Sequence, residues 1–290
     1  MYGDALQATG DPRGELVALD LHRERHGETP AYREAWPRAM MAWLGELWTD
    51  SPLAPWAARS FRFGFLDDLR IQPRGNLRSV DVCRAALRSP AGGFLRGATI
   101  TDDARGIREA LDVLAGGTWP WLDHLAIEQD SRRSPGPFAL AGILGAAVPH
   151  LREVTVRGYS AAAAPLPASV QRLVIDGAYA LDALDAGSSN VREIDIKILA
   201  AGPHAIARVA QRLAPARFPA LVHLDLSRCE HNPYLVYTHD DALRVVQVLE
   251  APERLRTLRI APPVRDHVRQ MLAEVRAQLP ALAIEIVAKR

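Results

Sequence analysis

The sequence predicts an α/β protein in which short parallel strands follow one another in space in chain order, as a solenoid, behind an N-terminal α-helical cap. Two observations predict it: a short apolar phrase recurs along the chain, and helix-period segments lie between most of its copies. A third removes the main alternative. No Gly-x-Gly-x-x-Gly or Gly-x4-Gly-Lys-Ser/Thr loop follows any of the phrases, so a doubly wound nucleotide-binding sheet would have no phosphate cradle.

Residues 1–60 read as the cap. In Gly10-Asp-Pro-Arg-Gly14, Asp11 is placed to cap a helix and Pro12 to occupy its first position, where a missing N–H costs nothing. Leu16, Ala18, Leu19 and Leu21, then Ala35, Met40, Met41 and Leu44, supply apolar faces for two helices. A helical cap covers the core edge that the first unit of a stack would otherwise expose. Trp36, Trp43, Trp48 and Trp56, with Trp119 and Trp121, are expected to cover this junction and the helix layer.

Residues 61–290 carry the repeats. The phrase is apolar, two others, apolar, one other, apolar. Its clearest copies are Leu66-Leu69-Ile71, Leu122-Leu125-Ile127, Leu151-Val154-Val156, Val170-Leu173-Ile175, Val191-Ile194-Ile196, Leu221-Leu224-Leu226 and Leu255-Leu258-Ile260. Leu95-Ala98-Ile100 and Ala281-Ile284-Ile286 are weaker copies. Helix-period segments are expected at 107–114, 138–147, 206–213, 242–249 and 264–279. From Val154 to Leu173 and from Leu173 to Ile194 there is little room for a helix. Alternation within each strand predicts one buried and one open face; a sheet covered on both sides would read as continuous apolar runs.

These phrases resemble a known family. Leu221-Val-His-Leu-Asp-Leu-Ser-Arg-Cys229 is similar to the leucine-rich-repeat consensus, with cysteine where that family holds asparagine or cysteine. Tyr2-Gly-Asp-Ala-Leu-Gln-Ala-Thr-Gly-Asp-Pro-Arg-Gly-Glu-Leu16 resembles the bacterial repeat-companion domain that precedes such repeats, and the match continues through Trp43–Leu47 and Phe63–Leu69. The resemblance implies a leucine-rich-repeat solenoid of about nine irregular repeats, with parallel strands on a concave face and helices on a convex face. It also implies a protein-interaction role and no substrate. Asp103, Asp130, Tyr159, Ala178, Leu199 and Pro263 hold the position of the family's asparagine, so an unbroken asparagine ladder is not expected.

On this register the side chains of the open face include Asp68, Arg70, His124, Glu128, Glu153, Arg157, Arg172, Asp176, Glu193, Asp195, Lys197, His223, Asp225 and Arg259. Asp195, Asp225 and Arg259 should form one row across neighbouring strands, beside a second made by Glu193 and His223. The centre of the face is thus expected to be acidic and rimmed by arginine. That fits a groove for a basic peptide or protein; the plainer reading is a solvated face of ion pairs worth about 0–1 kcal/mol each. The 228–240 loop adds Tyr234 and Tyr237 as aromatic anchors, or as packing over helix ends.

Catalytic, cofactor and metal sites are not expected. His223, Asp225 and Ser227 are two residues apart, about 7 Å along a strand, too far for a relay needing contacts near 3 Å. Cys229, His231 and His239 match no zinc spacing. Gly92-Gly93 and Gly116-Gly117 precede strands as turns rather than as phosphate loops. The 35 basic residues nearly balance the 34 acidic ones, and there is no basic tail, which argues against nucleic acid as partner. Apolar runs are too short to span a membrane, no secretory signal opens the chain, and Cys83 and Cys229 make no disulfide framework, so a cytoplasmic location is expected. The alternatives to an interaction module are an accessory subunit of an enzyme complex, and a structural partner or homodimer joined through the last strand. Lys289 and Arg290 read as guards of that strand's edge.

Overall fold

A computed structural model of the chain describes residues 2–44, 61–63, 65–73, 78–88, 92–129, 144, 146–158, 166–177, 180–181, 184, 188–197, 209, 212–213, 217–229, 254–260 and 266–287. Asp11 accepts a hydrogen bond from the Arg13 amide and caps helix α2 (Pro12–His26), with proline in the first turn. Helix α1 (Tyr2–Ala8) precedes it and α3 (Pro30–Leu44) follows. Gly14 lies where α2 meets α1. A Cβ there would stand 2.5 Å from the Gln7 amide nitrogen, so only glycine fits.

The helices bury Leu16, Val17 and Asp20 from α2, and Tyr32, Trp36, Ala39, Met40 and Leu44 from α3. This corrects the faces read from the sequence, because Ala18, Leu21 and Met41 are exposed. The helix turns a carboxylate inward beside Leu21. Asp20 accepts hydrogen bonds from the Tyr32 hydroxyl at 3.1 Å and from the Phe63 backbone N–H, and Arg23 lies 3.5 Å away. Burial raises the Asp20 pKa, against the pull of the Phe63 amide and Arg23. Phe63 has φ 52°, a left-handed conformation that costs a non-glycine residue about 1–2 kcal/mol. It lies between β1 (Phe61–Arg62) and β2 (Phe65–Leu66), an antiparallel pair the repeat pattern did not reveal. The buried carboxylate therefore ties the helices to this turn.

The main sheet has nine parallel strands in chain order: β3 (Asp68–Ile71), β4 (Gly97–Asp102), β5 (His124–Gln129), β6 (Glu153–Gly158), β7 (Arg172–Asp176), β8 (Glu193–Lys197), β9 (His223–Asp225), β10 (Thr257–Ile260) and β11 (Ala283–Ile286). The middle residues of the apolar phrases, Leu69, Ala98, Leu125, Val154, Leu173, Ile194, Leu224, Leu258 and Ile284, are successive partners in one row. All of them are buried, and one hydrophobic core runs from Leu16 to Ile284. The fold is thus mixed α/β with a parallel sheet.

A repeated backbone feature explains the three-then-two spacing of the phrase. At the start of each strand from β4 to β10, two successive amides donate to one carbonyl of the preceding strand segment. Those of Arg152 and Glu153 go to Asp123, of Gln171 and Arg172 to Arg152, of Arg192 and Glu193 to Gln171, and of Val222 and His223 to Arg192. This shared-acceptor bulge recurs at the same place on each of those strands, so the register between neighbours is kept. It lets Val191 and Ile194, three residues apart, both enter the core while Arg192 and Glu193 stay outside.

Helices α4 (Ser79–Arg88), α5 (Ala104–Ala115) and α6 (Asp266–Gln278) lie between β3 and β4, β4 and β5, and β10 and β11. Asp103 caps α5 through the Gly106 amide at 2.8 Å. Most of the helical segments expected at 138–147 and 206–213, and all of that at 242–249, lie outside the described residues; Leu144, Val209 and Leu213 are buried. After β7, where a helix had no room, Ala180, Leu181 and Leu184 fill the core. Both cysteines are buried and unbridged. The Cys229 thiol donates to the Ile196 carbonyl at 3.3 Å and that of Cys83 to the Ala110 carbonyl at 3.5 Å. Burial pushes the Cys83 thiol up to about 12.

Two further expectations are corrected. Trp119 is buried and its indole N–H donates to the Leu114 carbonyl at 2.8 Å, but Trp121 is 58% exposed because Leu122 takes the core position. In the last phrase Leu282 rather than Ala281 is buried, and Ile286 is 49% exposed. Among the described residues no strand pairs with the far side of β11, so nothing extends the core over Ile286. Trp48 and Trp56, Lys289 and Arg290 lie outside the described residues. No described helix is long and apolar enough to cross a membrane.

Asp20→Ala removes the acceptor of one buried and one part-buried donor and is expected to cost about 1–3 kcal/mol. Tyr32→Phe, which spares the Phe63 contact, should cost less. Urea denaturation checks both, and equal stability of wild type and Asp20→Ala would remove this carboxylate as the tie.

Candidate functional site

The bulges and register place three rows of side chains on the open face. The first contains Asp68, Gly97, His124, Glu153, Arg172, Glu193, His223 and Thr257; the second contains Arg70, Thr99, Ala126, Thr155, Val174, Asp195, Asp225, Arg259 and Glu285. The third contains Thr101, Glu128, Arg157, Asp176 and Lys197. Asp195, Asp225 and Arg259 are direct neighbours in register, and so are Glu193 and His223.

The charges interlock across strands. Arg172 reaches Glu153 at 3.0 Å, Glu193 at 3.8 Å, and Asp195. The Asp195 hydrogen bond, opposed by partial burial, raises the guanidinium pKa further, with Glu153 and Glu193 adding to it. Arg157 joins Glu128 to Asp176, the latter at 2.9 Å; Lys197 lies 3.4 Å from Asp176 and Arg70 3.7 Å from Glu128. Arg259 lies 2.7 Å from Glu285 and 3.8 Å from Asp225. This corrects the expectation of an acidic centre with an arginine rim, because Arg157 and Arg172 stand inside the face. Both come from strands β6 and β7, and each bonds acids on the strands to either side of its own.

One end of the face is a shallow cavity of about 200 Å³, lined by Arg172, Glu193, Asp195, His223, Leu224, Asp225, Thr257 and Arg259. Its floor sets two carboxylates opposite one another, Asp195 and Asp225. Like charges in register repel. Arg172 neutralises Asp195, but Asp225 turns toward Ser227, accepting from its amide at 2.8 Å and its hydroxyl at 2.6 Å, and meets Arg259 only at 3.8 Å. Ser227 lies beyond the end of β9, which lets a residue two positions away come within bonding distance. Among the described residues no hydrogen bond or ion pair joins His223 to Asp225 or Ser227, so these three form no relay. No described group of side chains could hold a metal ion. Tyr234, Tyr237, His231 and His239 lie outside the described residues.

At the other end, His124 Nδ1 lies 2.8 Å from Asp123 and Nε2 lies 3.8 Å from Asp68, across strand β4. Gly97 of β4 makes this possible, since a Cβ there would stand 1.9 Å from Nε2. Neither Gly97 nor Asp123 was singled out by the repeat pattern. The signal for Gly97 is a lone glycine at a strand's first outward position, which marks close approach by a neighbour.

Comparison with known proteins leaves this site to be judged on its geometry. No family model matches the chain, and no curated protein matches it. The crystal structure of a protein from Bacteroides fragilis, a structural genomics target, is similar to it with TM-score 0.43 and 14% identity over 86% of this chain and 82% of that one.

Asp68 and Asp123 raise the His124 pKa from 6.5 to about 9, against the effect of burial. A folded value above the unfolded one stabilises the protein fully below pH 6.5, and that contribution is lost as pH rises through 9. NMR titration of His124 should give a midpoint well above that of a solvated histidine. Asp68→Asn and Asp123→Asn should each lower it. A midpoint near 6.5 in the wild type would refute the tether.

Proposed function

We propose that the chain is a leucine-rich-repeat-like solenoid that works as an interaction module, holding a basic segment of a protein partner on its concave face. Three features support the repeat reading. The strands are parallel and in chain order, those from β4 to β10 begin with the same bulge, and the Cys229 thiol, at the position where the repeat consensus holds asparagine or cysteine, donates to the backbone of the preceding strand. The observation that carries the binding reading is the pair Asp195 and Asp225, in register on the floor of the cavity, with Glu193 on its wall. A guanidinium or ammonium group placed between them would relieve their repulsion. Arg172 and Arg259 hold the acids in place on either side, and the three carboxylates select against anionic segments.

The alternative partner surface is the outer edge of β11. It rests on the exposure of Ile286 and on β11 having a strand neighbour on one side only among the described residues. A second copy could add its own edge there, as sheets commonly do.

Asp195→Lys with Asp225→Lys should weaken binding of a fluorescent Arg/Lys-rich peptide about tenfold or more, the scale of losing one charge-assisted hydrogen bond. Fluorescence anisotropy at low and physiological salt reads this, and undiminished affinity removes the cavity from the binding surface. Sedimentation equilibrium tests the edge. A wild-type dimer that becomes monomeric in Ile286→Lys supports it, and a monomer at high concentration excludes it.

A further inference from the structure

The arginines of the open face are engaged by carboxylates; at the strand starts Arg96 pairs with Asp123 at 3.2 Å, but three further arginines of that row pair with no described carboxylate. Just before each strand, the residue that opens the bulge faces neither the core nor the open face. These residues form a ladder of their own, linked by backbone hydrogen bonds of 2.8 Å from Gln171 to Arg152, Arg192 to Gln171, Val222 to Arg192 and Arg256 to Val222. Arginine recurs on alternate rungs. Arg192 and Arg256, with Arg254 and Ser189, line a groove of about 570 Å³ along this edge of the sheet, and the row of arginines extends past it to Arg152.

Their sequence neighbours do not neutralise them. Glu153 and Glu193 follow Arg152 and Arg192 directly, yet the bulge turns both glutamates to the open face, where Arg172 holds them. Among the described residues no carboxylate lies within ion-pair distance of Arg152, Arg192 or Arg256, and all three are exposed. The backbone positions that carry these three arginines thus recur at intervals of about 9.6 Å, twice the separation of neighbouring strands. An extended polyproline-type chain advances about 3.1 Å per residue, so side chains three apart recur at about 9.3 Å. Guanidinium groups pair with carboxylates in a planar, two-bonded geometry. None of the side chains lining the groove is aromatic, so the surface offers single-stranded nucleic acid nothing to stack on.

We infer that this strand-start edge, centred on Arg192 and Arg256, is a second binding surface, which takes an extended acidic segment of a protein partner with carboxylates at every third residue. It is separate from the cavity of the open face and opposite to it in charge preference.

Fluorescence anisotropy on the full chain tests it with three labelled probes: a peptide of repeated Glu-Pro-Pro units, a peptide of the same composition with its glutamates clustered at one end, and an oligo-dT strand. The repeated peptide should bind best, several-fold better than the clustered one, and lose at least tenfold in the double variant Arg192→Glu/Arg256→Glu. Arg192→Gln should be intermediate, and circular dichroism should show the variants folded, since both side chains are exposed. Asp195→Lys, on the open face, should leave this binding unchanged, so failure here is distinct from failure of the cavity reading. Absence of binding to the repeated peptide, or binding unaltered in the double variant, overturns the inference. Equal affinity for the two peptides removes the every-third-residue register, and tighter binding of oligo-dT assigns the edge to nucleic acid instead.

Discussion

Two amides sharing one carbonyl at the start of each strand is the constraint from which most of this structure follows. In an unbroken parallel ladder, side chains alternate strictly, and residues three apart would point to opposite faces. The bulge bends the backbone at each strand start and lets both ends of an apolar-x-x-apolar phrase reach the core. The residue at this bend has a third direction, along the edge, that belongs to neither sheet face. Core, open face and strand-start edge are therefore consequences of one backbone event repeated from β4 to β10.

The energetic weight of these surfaces is unequal. The aligned apolar rows exclude water along the length of the sheet, and each large side chain there is worth about 1.5–3 kcal/mol on burial. The open-face ion pairs are partly solvated and each contributes little, about 0–1 kcal/mol. Arg172 and Arg157 are thus poorly explained as stability devices. Their effect is to fix where the carboxylates stand, which makes the potential of the face a defined pattern rather than an average over mobile side chains.

What was legible in the sequence follows from how local each signal is. Apolar phrases announce strands because burial on one face is required of every repeat, and Asp11-Pro12 announces a helix start because capping involves only the next few residues. The register of Asp195 with Asp225 was also legible, since equivalent positions of a repeat must align. The hairpin at Phe61–Leu66 was not, because its left-handed Phe63 is held by Asp20, more than forty residues earlier in a helix. The outward turn of Leu21 has the same origin: apolar periodicity gives no reason to bury an aspartate beside it. Nor could the pattern separate an acidic groove from an interlocked one, because the reach of Arg172 to carboxylates on both neighbouring strands is a matter of side-chain conformation.

Adjacent residues end in different electrical environments for the same reason. Arg192 and Glu193 are neighbours in the chain, and composition counts them as a neutral pair. The bulge sends the glutamate to Arg172 on the open face and leaves the arginine on the edge, so one local pair becomes charge on two surfaces. The pair Arg152 and Glu153 is divided in the same way. A near-neutral chain can in this manner carry unlike charge on two adjoining surfaces. Net charge, which excluded a uniformly basic protein, says nothing about such a partition; only the backbone that separates the two residues does.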